Sequence, residues 1–181
     1  MIVSEDRIIH LDAADFTPAL RAALARMFAA TFRGGGQPGR VWAPATDHFL
    51  LMRGVAIIGH VGVHRRGVVV GGRSWAVAGI AKVGVVAGLR GRGLGTRLLA
   101  FADDTLRAER RDDLGLLVTS EDRLGYYGRL GWERIRGPVS YEDRGATKAE
   151  TFPVMLLPLR ASKADLAPWH NGPVDLAGPL W

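Results

Sequence analysis

The chain has 181 residues and no cysteine, which excludes disulfide bonds, thiolate metal sites and a cysteine acyl-enzyme. Apolar residues make up 48% and charged residues 23%, a balance that predicts a single folded domain without a membrane span. The net charge of +6 indicates an anionic partner. Such a partner is a nucleic acid, a membrane surface or a phosphorylated cofactor; the charges are scattered without an aromatic platform, and we expect no nucleic acid and no membrane as partner. Acidic residues near the start of the chain favour a cytoplasmic location over export.

The first elements are a strand and a helix. Alternating apolar residues predict a strand within residues 1–11. Thr17 is a good N-cap and Pro18 fits the first helical position, so we expect a helix to begin there. Its apolar stripe continues to Phe32, and the glycines at 34–36 are expected to end it. The following loop contains Trp42 and is a candidate for binding substrate.

A run of strands follows between His48 and Val86. Short turn signals rich in glycine and arginine, at 53–54, 65–67 and 71–72, divide this run and predict an antiparallel meander. The predicted strands are Phe49–Met52, Val55–Val63, Val68–Val70 and Trp75–Val86. In this pattern His60 and His64 lie about 13 Å apart, too far to share a metal ion, and we predict no metal site.

The last strand of the meander leads through a glycine-rich turn into a helix. Ile80–Val86 is apolar and β-branched, which predicts a buried strand, and the stripe from Leu94 to about Arg110 predicts the helix. The first N–H groups of such a helix lack backbone partners, and the helix dipole adds positive charge there, so a phosphate binds readily. Asp103 and Asp104 are expected on the solvated face of this helix.

The remaining elements alternate. We predict a strand at Leu114–Thr119, a short helix at Glu121–Arg129, and strands at Trp132–Ile135 and Phe152–Leu159. Residues 160–181 are expected to pack back on a single domain, 1–181, as a tail.

The turn resembles the pyrophosphate loop of the GCN5-related N-acetyltransferases (GNAT), whose motif is Gln/Arg-x-x-Gly-x-Gly/Ala. The order of predicted elements is also similar to that family's fold. The resemblance implies an α/β (α+β) GNAT fold, with a central mixed, mainly antiparallel twisted sheet flanked by helices. It also implies an N-acetyltransferase that uses acetyl-CoA as cosubstrate. The implied cofactor-binding residues are Val83, Val85, Arg90, Gly91, Arg92, Gly93, Leu94, Gly95 and Thr96.

A second block resembles the same family. Tyr127 stands five residues before Trp132 and is followed by the pair Gly131-Trp132, as in the family's motif. The resemblance implies that Tyr127 lies near the thioester sulfur as a candidate general acid, because the leaving thiolate needs a proton. The alternative is that its ring only packs in the core.

Two branches of the family are similar to this chain. The aminoglycoside 2'-N-acetyltransferases share Tyr127 and a terminal tryptophan, here Trp181, whose carboxylate is implied to reach the active site as a catalytic group. NodA acyltransferase shares the loop from Gly39 to Trp42 and a similar tail. The first branch implies acetylation of an aminoglycoside 2'-amine, which gives antibiotic resistance. The second is kept as an alternative, transfer of an acyl group to an amino-sugar oligosaccharide.

The substrate residues depart from the aminoglycoside branch. Ala81 falls where that branch has a glutamate base, and Arg40 falls near an acidic position of its loop. A basic pocket repels a polycation and suits an acceptor with a carboxylate beside its amine, so kasugamycin is the candidate. The predicted substrate-binding residues are Arg40, Trp42, Lys82 and Asp175. A homodimer is implied by the family, and a non-catalytic module that binds acyl-CoA or RNA is the alternative from another class.

Overall fold

The computed structural model describes residues 5–32 and 40–181, which form ten strands and four α-helices within these ranges. The strands are β1 (Asp6–Asp12), β2 (Asp47–Arg53), β3 (Ala56–Val70), β4 (Arg73–Val85), β5 (Leu114–Val118), β6 (Glu133–Arg134), β7 (Val139–Asp143), β8 (Ala146–Ala149), β9 (Val154–Pro158) and β10 (Val174–Asp175). The helices are α1 (Pro18–Thr31), α2 (Leu94–Glu109), α3 (Leu124–Gly128) and α4 (Ala167–Asn171). None of the described helices is long and apolar enough to span a membrane.

Seven of the described strands form the main sheet in the order β1-β2-β3-β4-β5-β9-β6. Only β4 and β5 pair in parallel in this sheet, and the other neighbours are antiparallel. The crossover between the parallel pair is α2, as a parallel connection requires. The second sheet has the order β10-β7-β8. This mixed, mainly antiparallel sheet flanked by helices confirms the predicted fold class.

The two faces of the main sheet carry different layers. On one, the α2 face, buried side chains of α2 and α3 pack on β2–β5. On the other, the α1 face, α1 covers the β2–β3 end. The rest of the α1 face packs against the second sheet and the residues after β9, which contribute Trp169, Leu176, Leu180 and Trp181 to the core. The main sheet is therefore buried on both faces.

The N-terminal predictions agree with the structure. Thr17 caps α1, and its Oγ1 accepts a hydrogen bond from the N–H of Leu20 at 3.2 Å. Pro18 is the first helical residue. The glycines at 34–36, predicted to end this helix, lie outside the described residues.

The meander has one strand fewer than predicted, because the turn predicted at residues 65–67 does not exist. β3 runs without interruption from Ala56 to Val70. Arg65 turns to the α2 face, where Asp47, Glu109 and Asp112 accept its hydrogen bonds. Arg66 turns to the α1 face and donates to the carbonyls of Leu176 and Pro179, at 2.9 and 2.7 Å. These partners, distant in sequence, hold two arginines in a strand, where composition indicated a turn.

The structure also contains elements that were not predicted. β7 and β8 form a hairpin whose two turn residues, Arg144 and Gly145, both have positive φ. The segment 160–181 includes α4 and β10, and β10 pairs in parallel with β7. This segment therefore completes the second sheet.

The prediction that Asp103 lies on the solvated face of α2 is wrong. Only 7% of its surface is exposed, whereas its neighbour Asp104 is exposed as expected. Burial raises the pKa of Asp103 to about 7, and the neighbouring Trp132 side chain opposes this rise. The carboxyl oxygen Oδ1 has no hydrogen-bond partner in the described part of the protein.

Candidate active site

A notch opens in the main sheet between β4 and β5. The two strands pair from Val77 with Leu114 to Ile80 with Leu117, and pairing stops there. β4 continues to Val85 alongside β3 alone. Since β5 gives these last β4 residues no pairing partner in the described structure, their backbone groups on that side are available to a ligand. The prediction of a buried strand from Ile80 to Val86 is therefore only partly correct, because Lys82 in this stretch is exposed.

The glycine-rich loop lies immediately after the notch. Gly91 and Gly93 have φ of 75° and 74°, a left-handed conformation that favours glycine. Gly93 is the N-cap of α2, and a Cβ there would meet nothing within 4 Å, so the space beside the helix terminus is open. Within the described residues, the N–H groups of residues 91–96 donate to no backbone acceptor. This cradle of N–H groups at a helix N-terminus fits a pyrophosphate.

Arg90 ties the loop to two neighbouring elements. Its Nε donates to the carbonyl of Val85 at 3.1 Å, and its Nη2 donates to the carbonyl of Thr31 at 3.0 Å. The guanidinium thus fixes the loop between the end of β4 and the end of α1. Arg92 is exposed and contributes charge beside the helix terminus.

The two adjacent tyrosines have different surroundings. Tyr127 is 6% exposed and packs under α2, and burial raises its pKa to about 12. The Tyr126 hydroxyl lies 3.5 Å from Oγ1 of Thr96, and the Cβ position of Gly95 lies 3.7 Å from the same hydroxyl. Tyr126 therefore lies against the first turn of α2, a position that the sequence pattern did not reveal.

Lys82 occupies a bulge of β4 at the notch. The pairing of β3 with β4 shifts between His60 and Gly62, and Lys82 adopts φ of 51°. Its ammonium group lies 5.2 Å from the centre of the Phe28 ring, and no acidic group of the described residues lies within 4 Å of it. The ring of fully buried His60 also contacts Phe28, with ring centres 4.8 Å apart. The sequence signal for His60 was its position as a polar residue within the apolar run Val55–Val63.

Arg40 and Trp42, two further predicted substrate-binding residues, lie in a separate cluster away from Lys82. Nη2 of Arg40 donates to the hydroxyl of Tyr141 at 2.7 Å, and Nη1 lies 3.4 Å from Glu150. The guanidinium stacks over Trp42 and Tyr141, at 5.3 and 4.8 Å from the ring centres. Glu150 compensates the charge of Arg40, whereas Lys82 has no acidic partner among the residues that the structure describes.

The two predicted residues of the C-terminal segment lie on the α1 face. The Trp181 indole is 6% exposed and lies over Gly79 of β4, and the Arg66 guanidinium stacks on it at 5.2 Å. Asp175 is exposed in β10 and accepts a hydrogen bond from the N–H of Ala177 at 3.0 Å. A groove of about 360 Å³ lies elsewhere, between Arg65 and Arg111, and no predicted site residue lines it.

Comparisons with known proteins agree with this geometry. The family model described as acetyltransferase (GNAT) domain matches residues 14–135, about two thirds of the chain. No sequence among the curated proteins matches the chain. Among solved structures, Escherichia coli ElaA is similar over 84% of this chain and 99% of its own, with 16% identity and a TM-score of 0.64.

Two further structures contain ligands. YhbS from Escherichia coli, a GNAT family N-acetyltransferase in complex with CoA, is similar over 94% of this chain and 90% of its own, with 16% identity and a TM-score of 0.64. A GNAT family acetyltransferase from Brucella melitensis in complex with acetyl-CoA covers 83% and 88%, with 17% identity and a TM-score of 0.55. At these identities the similarity shows the shared fold.

The residues that the family model matches include both the notch and the glycine-rich loop. The open helix N-terminus, the glycines in left-handed conformation and the basic residues beside them fit acetyl-CoA as the cosubstrate. The chain belongs to the GNAT acetyltransferase family and is an acetyl-CoA-dependent N-acetyltransferase.

Proposed function

We propose that the enzyme acetylates the amino group of a small acceptor that also carries an anionic group, and that a 2'-amino aminoglycoside of this kind, kasugamycin, is the acceptor to test first. The proposal is carried by the Lys82 ammonium at the notch, which has no acidic group within 4 Å in the described part of the chain. An anionic group on the acceptor supplies the missing counter-charge, and a polycation is repelled.

The remaining roles in acetyl transfer are assigned to residues of this chain. Acetyl-CoA supplies an activated acetyl group, whose transfer forms an N–C bond and breaks a C–S bond. The loop from Arg90 to Thr96 holds the pyrophosphate and so fixes where the thioester lies relative to the notch. Tyr127 is retained as the proposed proton donor to sulfur. Trp42 and Asp175 are retained as proposed contacts of the sugar.

The carboxyl group of Trp181 is proposed to contribute to acceptor binding. In support, the indole packs on Gly79, two residues before Ala81 at the notch. Deleting Leu180 and Trp181 would also remove two buried side chains, so a gentler change is needed. Extending the chain by two glycines keeps both side chains and moves the charge. We expect acetyl-CoA affinity to be retained and turnover to fall about tenfold.

The acceptor is tested by mass spectrometry after incubation with acetyl-CoA. The panel contains kasugamycin, polycationic aminoglycosides without a carboxylate, and an amino-sugar oligosaccharide. We expect one acetyl group on kasugamycin and slower reaction of the polycations. Preferential reaction of the polycations would contradict the proposal. An acyl-carrier-protein donor that outcompetes acetyl-CoA would favour the NodA-like alternative, and RNA retention without turnover would favour a binding module.

A matched pair of variants tests the role of Lys82. Lys82→Met removes the charge and keeps the length of the side chain, and we expect kcat/KM for kasugamycin to fall about tenfold. Lys148→Met is the control, because Lys148 is exposed and pairs with Asp143 in the second sheet. Equal effects of the two substitutions would show that overall charge, and not the notch, attracts the acceptor.

A further inference from the structure

Two histidines form a hydrogen-bonded chain that ends at the bulge of β4. Nδ1 of His60 lies 3.0 Å from the carbonyl oxygen of Lys82, and Nε2 of His60 lies 3.0 Å from Nδ1 of His48. His60 is fully buried, and His48 is partly exposed beside Phe16, with ring centres 4.3 Å apart. The chain therefore leads from the protein surface to the backbone at the notch.

The hydrogen bonds determine the tautomers of both rings. A carbonyl oxygen only accepts, so Nδ1 of His60 carries the hydrogen. Nε2 of neutral His60 is then the acceptor, and Nδ1 of His48 donates to it. Burial lowers the pKa of His60 to about 3; the hydrogen bond to the Lys82 carbonyl opposes this shift, and the charges of His48 and Lys82 add to it. Neutral His60 is thus the form present at physiological pH.

The groups that face His48 favour the same arrangement. Burial lowers the pKa of His48, the charges of Lys82 and Arg21 lower it further, and Asp47 opposes them. Protonated or neutral, His48 keeps a hydrogen on Nδ1 and continues to donate to His60. The hydrogen bond from His60 to Lys82 is therefore maintained across the physiological pH range.

The hydrogen bond to Lys82 also orients the next N–H group. The described residues contain no cis peptide bond, so the carbonyl of Lys82 and the N–H of Val83 point in opposite directions within one planar group. The carbonyl meets the His60 ring, so the N–H of Val83 points away from that ring, in a stretch of β4 that has no pairing with β5 in the described structure. A backbone N–H aimed into the notch can stabilise negative charge on a thioester oxygen.

We infer that His60 is a positioning residue for acetyl transfer, held by His48, and that it aims the Lys82–Val83 peptide group so that the N–H of Val83 meets the thioester oxygen and Lys82 meets the acceptor. This inference rests on the proposed function only for the acceptor. The left-handed conformation of Lys82 is unfavourable for a residue with a side chain, and the buried hydrogen bond from His60 offsets part of that cost.

Two substitutions separate the two hydrogen bonds of His60. The amide nitrogen of asparagine is bonded to Cγ, as Nδ1 is, so His60→Asn keeps a donor for Lys82 and loses the partner of His48. The amide of glutamine is one atom further out, so His60→Gln keeps the partner of His48 and loses the donor to Lys82. We expect His60→Asn to keep kcat within about threefold of the parent and His60→Gln to lower kcat at least tenfold. We expect similar melting temperatures for the two variants.

Binding measurements add a readout that needs no acceptor. Isothermal titration with acetyl-CoA and with CoA gives a ratio of affinities that reflects the contact with the thioester oxygen. We expect His60→Gln to lower this preference for acetyl-CoA about threefold to tenfold, and His60→Asn to preserve it. The inference would be overturned if both variants lost kcat in proportion to their melting temperature and kept the parent's ratio of affinities for acetyl-CoA and CoA.

Nuclear magnetic resonance tests the chain of histidines in the free protein. Long-range proton–nitrogen spectra of the imidazoles report which ring nitrogen carries hydrogen. We expect Nδ1–H on both His48 and His60 at pH 7, with no acetyl-CoA present. A protonated Nε2 on neutral His60 would overturn the inference. If the tautomers and the affinity ratio are as expected but no acceptor of the panel reacts, the acceptor proposal fails and the role of His60 stands.

Discussion

Arg90 donates a hydrogen bond from Nε to the carbonyl of Val85, five residues before it and the last residue of β4. Because a second bond reaches Thr31 in α1, the guanidinium fixes the glycine-rich loop from two sides. We expect Arg90→Ala to weaken acetyl-CoA binding about tenfold. Arg90→Lys should restore little of it, since one ammonium cannot reproduce the forked geometry. Titration calorimetry measures both, and full recovery in Arg90→Lys would show that only charge matters.

Gly93 combines a left-handed backbone with an open approach to the N-terminus of α2. Gly93→Ala adds strain of about 1–2 kcal/mol and places a methyl group beside the phosphate, so acetyl-CoA binding should be lost. Gly72→Ala is a matched control, because Gly72 has φ of 76° in the turn between β3 and β4, with nothing within 4 Å of its Cβ position. We expect the two variants to lose similar thermal stability, while only Gly93→Ala loses binding. Loss of binding in both would assign the effect to strain.

Conservative substitutions distinguish the roles of Tyr127 and Tyr126. Tyr127→Phe keeps the buried ring, and we expect kcat to fall at least tenfold with acetyl-CoA affinity unchanged, if the hydroxyl protonates sulfur. Tyr126→Phe removes the hydroxyl near Thr96, and we expect weaker acetyl-CoA binding with little change in kcat. With a pKa of about 12, Tyr127 stays protonated throughout the usual assay range, so kcat should show no alkaline limb below about pH 10. The reverse assignment of effects would make Tyr126 the proton donor.

Asp103 makes stability depend on pH. Its folded pKa of about 7 lies above the unfolded value, so the folded state binds the extra proton and loses stability as pH rises from about 4 through 7. We expect Asp103→Asn to be more stable than the parent at pH 8, by up to about 4 kcal/mol, and nearly equal at pH 4. Exposed Asp104→Asn is the control. Urea unfolding at both pH values measures the difference, and a parent that is the more stable at pH 8 would contradict the raised pKa of this buried carboxyl.

Gly79 leaves room for the Trp181 ring. A Cβ at Gly79 would overlap the indole atoms, so Gly79→Ala should lower the free energy of unfolding by about 1–3 kcal/mol. Gly67→Ala, in the adjacent strand, adds a methyl group with nothing within 4 Å and should change stability by less than 1 kcal/mol. Thermal unfolding of the two variants side by side measures these changes. Equal losses of stability would show that the Trp181 ring does not pack on Gly79.

The sequence predicted those features whose signals are local. The start of α1 at Thr17 and Pro18 and the glycine-rich turn into α2 depend on residues within a few positions of each other. The continuous β3 was not predicted, because Arg65 and Arg66 are held in the strand by partners up to 113 residues away. Burial of Asp103 likewise depends on α3 and the residues after it, such as Trp132, which pack against α2.

The candidate site divides in the same way. The glycine-rich loop depends on residues within its own stretch, and the expectation of a basic pocket around Lys82 stays a prediction. The compensation of Arg40 by Glu150 was not predictable, because 110 residues separate them. The chain from His48 through His60 to Lys82 joins three strands, and its existence depends on the bulge that aligns them.

The contact of Trp181 with Gly79 also has a consequence for synthesis. Trp181 follows Gly79 by 102 residues, so at about 5–20 residues per second it leaves the ribosome roughly 5–20 s later. During this interval the apolar surface of β4 and β5 on that face has no cover from the end of the chain. In the nascent protein, this apolar surface of β4 and β5 therefore stays uncovered until Leu180 and Trp181 emerge, and chains truncated before them keep it exposed and are prone to aggregate.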